Sequence, residues 1–255
     1  MTTYPISVQL YSLRDYTKDD LPGVLQRLGR IGFAAVEPAG FFGYSPTEVR
    51  AMAEDAGMRV LSSHSPWANG NPLEDVVATA RAFDLDIVGG GYGRAAFADM
   101  AAIERTCAEV SELCAQLAKH DLKLFLHNHA WEFARFDGRW GMEILAERVP
   151  DVLFEVDTYW AANFGANDAQ AVVQQFASRA PLLHIKDGSL VEGEANCRFG
   201  RGRMDIPGVI AAADPQVLRA LVVEFDACVT DDDLWQAVEA SFQYLVDQGL
   251  GHGQS

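Results

Sequence analysis

Eight short apolar runs, set at long and nearly regular intervals, constrain this chain more than any other feature. They are ISVQL (6–10), AAVE (34–37), RVLSS (59–63), DIVG (86–89), KLFLH (123–127), LFEVD (153–157), LLHIK (182–186) and ALVVE (220–224). Their first residues are 28, 25, 27, 37, 30, 29 and 38 positions apart. One strand, one helix and two loops fill most of these intervals. The longer fourth and seventh intervals predict insertions.

The stretches between the runs carry helical spacing, as in Leu21, Val24, Leu25, Leu28 and Ile31, or Val49, Met52, Ala53 and Ala56. Ser45-Pro46-Thr47-Glu48 reads as a capping box with proline in the first turn, and Gly57 as the helix stop. Asp231 to Asp233 place negative charge at the start of the last helix. Strands that are apolar throughout, alternating with amphipathic helices, belong to parallel sheets buried on both faces. Eight such units predict a single-domain α/β fold, a (β/α)8 TIM barrel over residues 1–250, with 251–255 as a flexible tail. A doubly wound open sheet is the alternative, and eight units are more than it usually needs. No proline-rich or serine-rich linker divides the chain.

Composition narrows the partners. Lys plus Arg number 20 against 36 Asp plus Glu, a net charge of −16, which disfavours nucleic acid and anionic membranes. Cys107, Cys114, Cys197 and Cys228 form no CxxC pair, and Cys107 and Cys114 fall on one face of a helix, the pattern of small buried thiols in a reducing, cytoplasmic setting. The opening MTTYPISVQLYS has no signal-peptide pattern, and no run of eighteen apolar residues predicts a membrane span.

In a barrel of this kind the site lies at the C-terminal ends of the strands. The second run ends at Glu37, the third leads into His64, and the fifth ends at His127 with Asn128, His129 and Glu132 behind it. The sixth ends at Asp157 and the eighth at Glu224. His184 and Lys186 in the seventh are two apart and share a face. Any one of these residues alone has an ordinary explanation as a hydrogen-bonded histidine or a helix cap. Together His127, Asp157, His184 and Glu224 make a mixed nitrogen and oxygen set suited to Mn, Fe, Co or Zn.

The strings LFLHNHAWEF, LFEVDTYWAA, LLHIKDG and LVVEFD stand in that order at four consecutive strand ends, and SVQLYSLRD and GFAAVEPAGFFG fit at strands one and two. This series resembles the sugar phosphate isomerase/epimerase family, the xylose-isomerase-like barrels, over nearly the whole chain. The resemblance implies a divalent metal held by glutamate, aspartate, histidine and glutamate from strands five to eight, and association into homo-oligomers as an option. Asp157, His184 and Glu224 match that pattern. At strand five the family's glutamate is replaced by His127, so either His127 is the ligand or Glu132 curls back to the metal.

That departure bears on mechanism. The family pattern sets two glutamates about the substrate's α-carbon as paired acid and base, and here one is missing. Polarisation of a carbonyl by the metal, with abstraction of the adjacent proton, survives the change and leads to isomerisation, epimerisation or β-elimination. Glu132, Glu224 and His64 are the candidate bases. Lys186 either stabilises the oxyanion or forms a salt bridge to Asp157 or Asp187. Glu37 and His129 are candidate substrate contacts, and Trp67 and Trp131 offer flat faces to a carbohydrate ring. Arg201, with Arg198 and Arg203 in CRFGRGR, offers a dock for an anionic group or pairs with surface carboxylates. GGGYG after strand four lacks the GxGxxG spacing, so no nucleotide cofactor is expected.

The leading expectation is a metal-dependent isomerase or epimerase of a keto sugar, with a lyase or dehydratase on a similar ketose beside it. The pair His127-x-His129 is similar to the HxH of amidohydrolase barrels, but theirs is on the first strand. A repair nuclease would want a basic face. A barrel that binds sugar without turning it over is the remaining alternative.

Overall fold

Each of the eight apolar runs contains a strand: β1 (Tyr4–Gln9), β2 (Ala35–Glu37), β3 (Arg59–Val60), β4 (Ile87–Gly91), β5 (Lys123–His127), β6 (Leu153–Asp157), β7 (Leu182–Ile185) and β8 (Ala220–Val223). The computed structural model describes residues 2–227 and 234–254, so Cys228 and Asp231 to Asp233 lie outside the described residues. The strands are parallel and ordered β3-β2-β1-β8-β7-β6-β5-β4, the order of a barrel cut open between its third and fourth strands. Around it run α1 (Arg14–Ile31), α2 (Pro46–Asp55), α3 (Leu73–Phe83), α4 (Met100–Ala118), α5 (Gly141–Arg148), α6 (Thr158–Ala161), α7 (Ala169–Phe176), α8 (Ile206–Ala211) and α9 (Leu234–Asp247). This is a single-domain α/β barrel of the TIM type.

The cut is bridged outside the regular ladder. The N–H of Ala68 donates to the carbonyl of Gly89 at 2.8 Å, and the Asn69 amide bonds both the N–H and the carbonyl of Gly91. The ladder of β3 ends at Val60, and beyond it the Ser63 hydroxyl donates to the Ser65 carbonyl and the N–H of His64 to the Pro38 carbonyl. The glycines of GGGYG serve this closure. A Cβ on Gly89 would come within 2.8 Å of the Ser63 carbonyl oxygen, and one on Gly91 within 2.6 Å of the Trp67 ring.

Alternation along each strand sorts the side chains into two cores. Leu124 and Leu126, Phe154 and Val156, Leu183 and Ile185, and Leu221 and Val223 face outward into the main hydrophobic cluster beneath the helices. The residues between them face the lumen. Ile87, Phe125, Leu182 and Ala220 form a separate buried cluster, with Leu61 and Leu153 packed against it. This apolar layer plugs the lower barrel. One step further along the same strands stand His127, Glu155, His184 and Val222, and one step beyond those Asp157, Lys186 and Glu224. The site is therefore the upper, polar part of the lumen, resting on a dry floor.

The helix signals match the structure closely. Ser45 and Glu48 form the reciprocal capping box with Pro46 in the first turn, and Gly57 has a φ of +79° just past the end of α2. In the fourth interval the excess is a 3-10 turn at Arg94–Phe97 and the 19-residue α4. In the seventh it is a ribbon pairing Asp187–Gly188 with Asn196–Cys197. The expectation of a flexible tail is corrected. Gly251–His252 forms a ninth strand, β9, parallel to the start of β1, and the Gln254 amide donates to the carbonyls of Gly29 and Ala56. The open N–H and C=O groups at the start of β1 give this segment a template that composition does not reveal. Among the described residues no helix is long and apolar enough to cross a membrane.

Candidate metal centre

Parallel register brings the polar ends together. Asp157 is paired with His184 across β6 and β7, and His127 with Glu155 across β5 and β6. His127, Asp157, His184 and Glu224 then offer one ligand atom each, all within 4.8 Å of one another, and His64, His127, Glu155 and His184 form a second such group. All of these side chains are buried.

The two groups share His127 and His184 but use opposite ring nitrogens. Nδ1 of His184 lies 2.6 Å from Oε2 of Glu224, while its Nε2 lies 2.9 Å from Oε1 of Glu37 and 3.1 Å from Oε1 of Glu155. Nε2 of His127 faces Asp157 at 4.0 Å, and its Nδ1 lies 3.1 Å from Oε2 of Glu155. Asp157 and Glu224 stand on the mouth side of the histidines. Glu155 and His64, joined at 2.5 Å, stand on the other. Beneath them the Gln9 amide donates to Glu37.

Charge in this confined space shifts every group. Burial alone would push the His184 imidazolium down, yet Glu155, Glu224 and Glu37 hold it well above its ordinary value. His64 is likewise raised, burial being outweighed by Glu37 and Glu155. His127 goes the other way, to about 3, through burial and the neighbouring histidines. Burial opposes ionisation of Glu155 and Glu224, but histidines about Glu155, and Lys186 with His184 about Glu224, hold both well below the usual carboxylate range. Burial lifts Glu37, helped by Glu155, and lifts Asp157 to about 6 against the pull of Lys186. Ionised carboxylates only accept hydrogen bonds, so His184, set between them on both sides, carries a proton on each nitrogen until a cation displaces one.

The donor set fits a divalent cation. Two imidazoles and two carboxylates from successive strands, on a dry floor with further carboxylates behind the imidazoles, are the arrangement of a transition-metal site with its outer-shell partners. Glu155 is the residue that sequence reasoning missed. It lies two before Asp157 on the same strand, so the alternation that aligned His184 with Lys186 places it in the lumen too.

The other expected residues fall as follows. Lys186, fully buried, pairs with Asp157 at 2.9 Å, Glu224 at 2.9 Å and Asp226 at 2.7 Å. It donates a hydrogen bond to Asp226, and its ion pair with Asp157 is the salt-bridge alternative to the oxyanion role. It does not pair with Asp187, whose carboxylate accepts the backbone N–H groups of Gly188, Gly200, Gly202 and Met204 and so shapes the CRFGRGR loop. Glu132 belongs to neither donor group. Its carboxylate accepts the N–H of His129 at 2.8 Å and faces a small cavity lined by Phe97, Met142 and Phe154. Burial there lifts it to about 8. It stands on the 3-10 turn Trp131–Phe133, and His127 and Asn128 line the same cavity. His64, expected as a base, is held by Glu155. Arg201 is exposed and does not line the open pocket.

That pocket, about 320 Å³, opens above the cluster between Tyr11, Trp67 and His129, with His64, His127 and Glu224 in its wall. The Trp67 ring lies 4.5 Å from that of His64, and Trp131 stacks on His129 at 4.1 Å. Burial and the charge of Lys186 depress His129 to about 4, leaving a neutral imidazole whose Nδ1 is buried without a hydrogen-bond partner.

A parallel barrel with imidazoles and carboxylates gathered at the C-terminal ends of its strands defines a class of metal-site barrels. The model of the xylose isomerase-like TIM barrel family matches residues 25–224, and the chain belongs to that family. Similar solved structures include a sugar phosphate isomerase/epimerase from Parabacteroides distasonis, 20% identical with a TM-score of 0.75 over 96% of this chain and 94% of that one. A probable 3-DHS dehydratase from Bacillus anthracis is 13% identical with a TM-score of 0.71, over 96% and 99%. A D-allulose 3-epimerase from Methylomonas sp. is 15% identical with a TM-score of 0.66, over 98% and 99%. At these identities the likeness establishes the fold. No curated protein matches the chain.

Proposed function

We propose that the chain is a divalent-metal-dependent enzyme that removes a proton beside the carbonyl of a keto sugar and returns it, as an isomerase or epimerase. The observation that carries this reading is the convergence of His127, Asp157, His184 and Glu224 within 4.8 Å beneath an open pocket. These four residues would hold the cation, and mixed imidazole and carboxylate donors suit Mn, Co, Fe or Zn. When bound, such an ion supplies Lewis-acid polarisation of a carbonyl.

The chain's own residues supply the rest. Glu224 is held ionised by Lys186 and His184 and lines the pocket, so it is the proton acceptor. His129, neutral and lining the pocket, is the hydrogen-bond partner for a substrate hydroxyl. Trp67 covers the sugar's apolar face and excludes water. Lys186 keeps Asp157 and Glu224 charged. Glu155 accepts from Nδ1 of His127 and Glu37 from Nε2 of His184, the ring nitrogens that face away from the cation, and so they fix the tautomers. Cys107 and Cys114 on α4 are free thiols, in keeping with a reducing, cytoplasmic setting.

One observation favours a second reading, a lyase or dehydratase. The end of β5 carries an imidazole depressed to about 3 instead of a carboxylate, so a second carbon-directed base is missing from that side. Loss of a neighbouring hydroxyl after the first proton abstraction needs only one. Metal-loaded protein incubated with keto sugars in deuterated water separates the two. Exchange of an α-proton with the carbon skeleton intact supports the isomerase reading, and an enone chromophore supports elimination. Neither exchange nor enone across a panel of ketoses overturns both.

A further inference from the structure

The pocket above the metal cluster has a larger neighbour across a shared wall. Ser65 and Trp67 wall it, and the same two residues wall a second cavity of about 640 Å³ between the loop after β2 and the exposed face of α3. The first cavity is near the small end of the ~300–1,000 Å³ range of ligand sites, while the two together approach its large end. A single sugar ring over the cluster leaves the second cavity unfilled.

The lining of that second cavity selects its occupant. Phe41 and Trp67 present flat apolar faces, and Thr47, Asn71 and Asp75 present hydrogen-bonding groups between them. Alternating faces and polar groups match a sugar ring, whose two faces are apolar and whose rim is hydroxylated. Neither cavity has a Lys or Arg among its lining residues, whereas Asp75 lines one and Glu224 and Asp226 line the other. A phosphate or carboxylate in the second cavity would meet the like charge of Asp75 with no lining cation to offset it. Trp67 is held as the shared wall: it packs on His64 on one side and lies where Gly91 lacks a Cβ on the other.

We propose that this groove is a subsite for a second, uncharged sugar unit, so that the substrate is a glycoside. Its keto ring sits over the cluster and its second ring crosses Trp67 to lie against α3. This rests on the metal-dependent keto-sugar reading above and adds the substrate's size and the neutrality of its second unit to it.

Ala78 tests the subsite with least disturbance. It is exposed on α3 and lines the groove but not the pocket over the cluster. Calorimetric titration of metal-loaded protein with D-fructose and with isomaltulose, a glucosyl-fructose, compares one ring with two. Isomaltulose should bind about tenfold more tightly, the worth of one aromatic face. Ala78→Trp should abolish that preference and leave fructose affinity unchanged. Equal or undetectable binding of both sugars overturns the subsite, as does a preference that survives Ala78→Trp. Elemental analysis of the same samples separates this from the reading beneath it. Protein that takes up no metal, yet shows a preference removed by Ala78→Trp, leaves the subsite standing and overturns the metal reading.

Discussion

Oε1 of Glu155 lies 3.1 Å from Nε2 of His184, on the side of the ring opposite Glu224. The other oxygen of Glu155 reaches His64 at 2.5 Å and His127 at 3.1 Å, so one carboxylate hydrogen-bonds two imidazoles and stands against a third. Outer-shell partners of this kind tune metal affinity by fixing which nitrogen is free to bind. Glu155→Gln keeps the shape and removes the charge. It should weaken divalent-metal affinity by about 10–100-fold, read by competition with a chelating dye. Unchanged affinity would show that the tautomers are set elsewhere.

Lys186 forms ion pairs with Asp157, Glu224 and Asp226, and it is fully buried. Removing one partner of a buried ion pair leaves uncompensated charge, which costs about 3–5 kcal/mol. Lys186→Met should therefore lower the melting temperature of metal-free protein sharply, and saturating divalent metal should restore part of the loss by neutralising the same carboxylates. A metal-free melting temperature equal to that of the parent would count against this role.

Glu132 supplies the pH prediction. Burial in an apolar cavity raises its carboxyl from the ordinary 4.5 to about 8. Between those values the folded state binds a proton that the unfolded state has released, so this group's contribution to stability falls as pH rises from about 4.5 to about 8. Glu132→Gln retains an acceptor for the N–H of His129 and removes the titration. Its melting temperature, measured from pH 5 to 8, should fall less than the parent's, with the variant the more stable at pH 8. Parallel curves for the two proteins would refute the buried-acid assignment.

The barrel was legible in the sequence because its signal is repeated: eight runs at similar spacing, each apolar on both faces. The metal-ligand candidates were legible for a related reason, since strand ends are where such barrels place their chemistry. Glu155 was not, because a carboxylate inside an apolar run looks like an interruption until its alternation with Asp157 is counted. That Glu132 lies outside both donor groups was not legible, because spacing along a loop does not tell which way a 3-10 turn points a side chain. Lys186 was placed on the right face, but its three partners come from β6, the end of β8 and the loop beyond, and only the closed barrel brings them together. The docked tail shows the same limit. Gly251 and His252 carry no strand signal of their own, and what orders them is the free edge at the start of β1.

In the proposed site His127, and not Glu132, completes the four-residue divalent-metal set with Asp157, His184 and Glu224. Elemental analysis of purified, metal-equilibrated parent, His127→Ala and Glu132→Gln tests it most directly. The account predicts stoichiometric metal in the parent and in Glu132→Gln, and its loss in His127→Ala. Full retention of metal in His127→Ala, or its loss in Glu132→Gln, would contradict it.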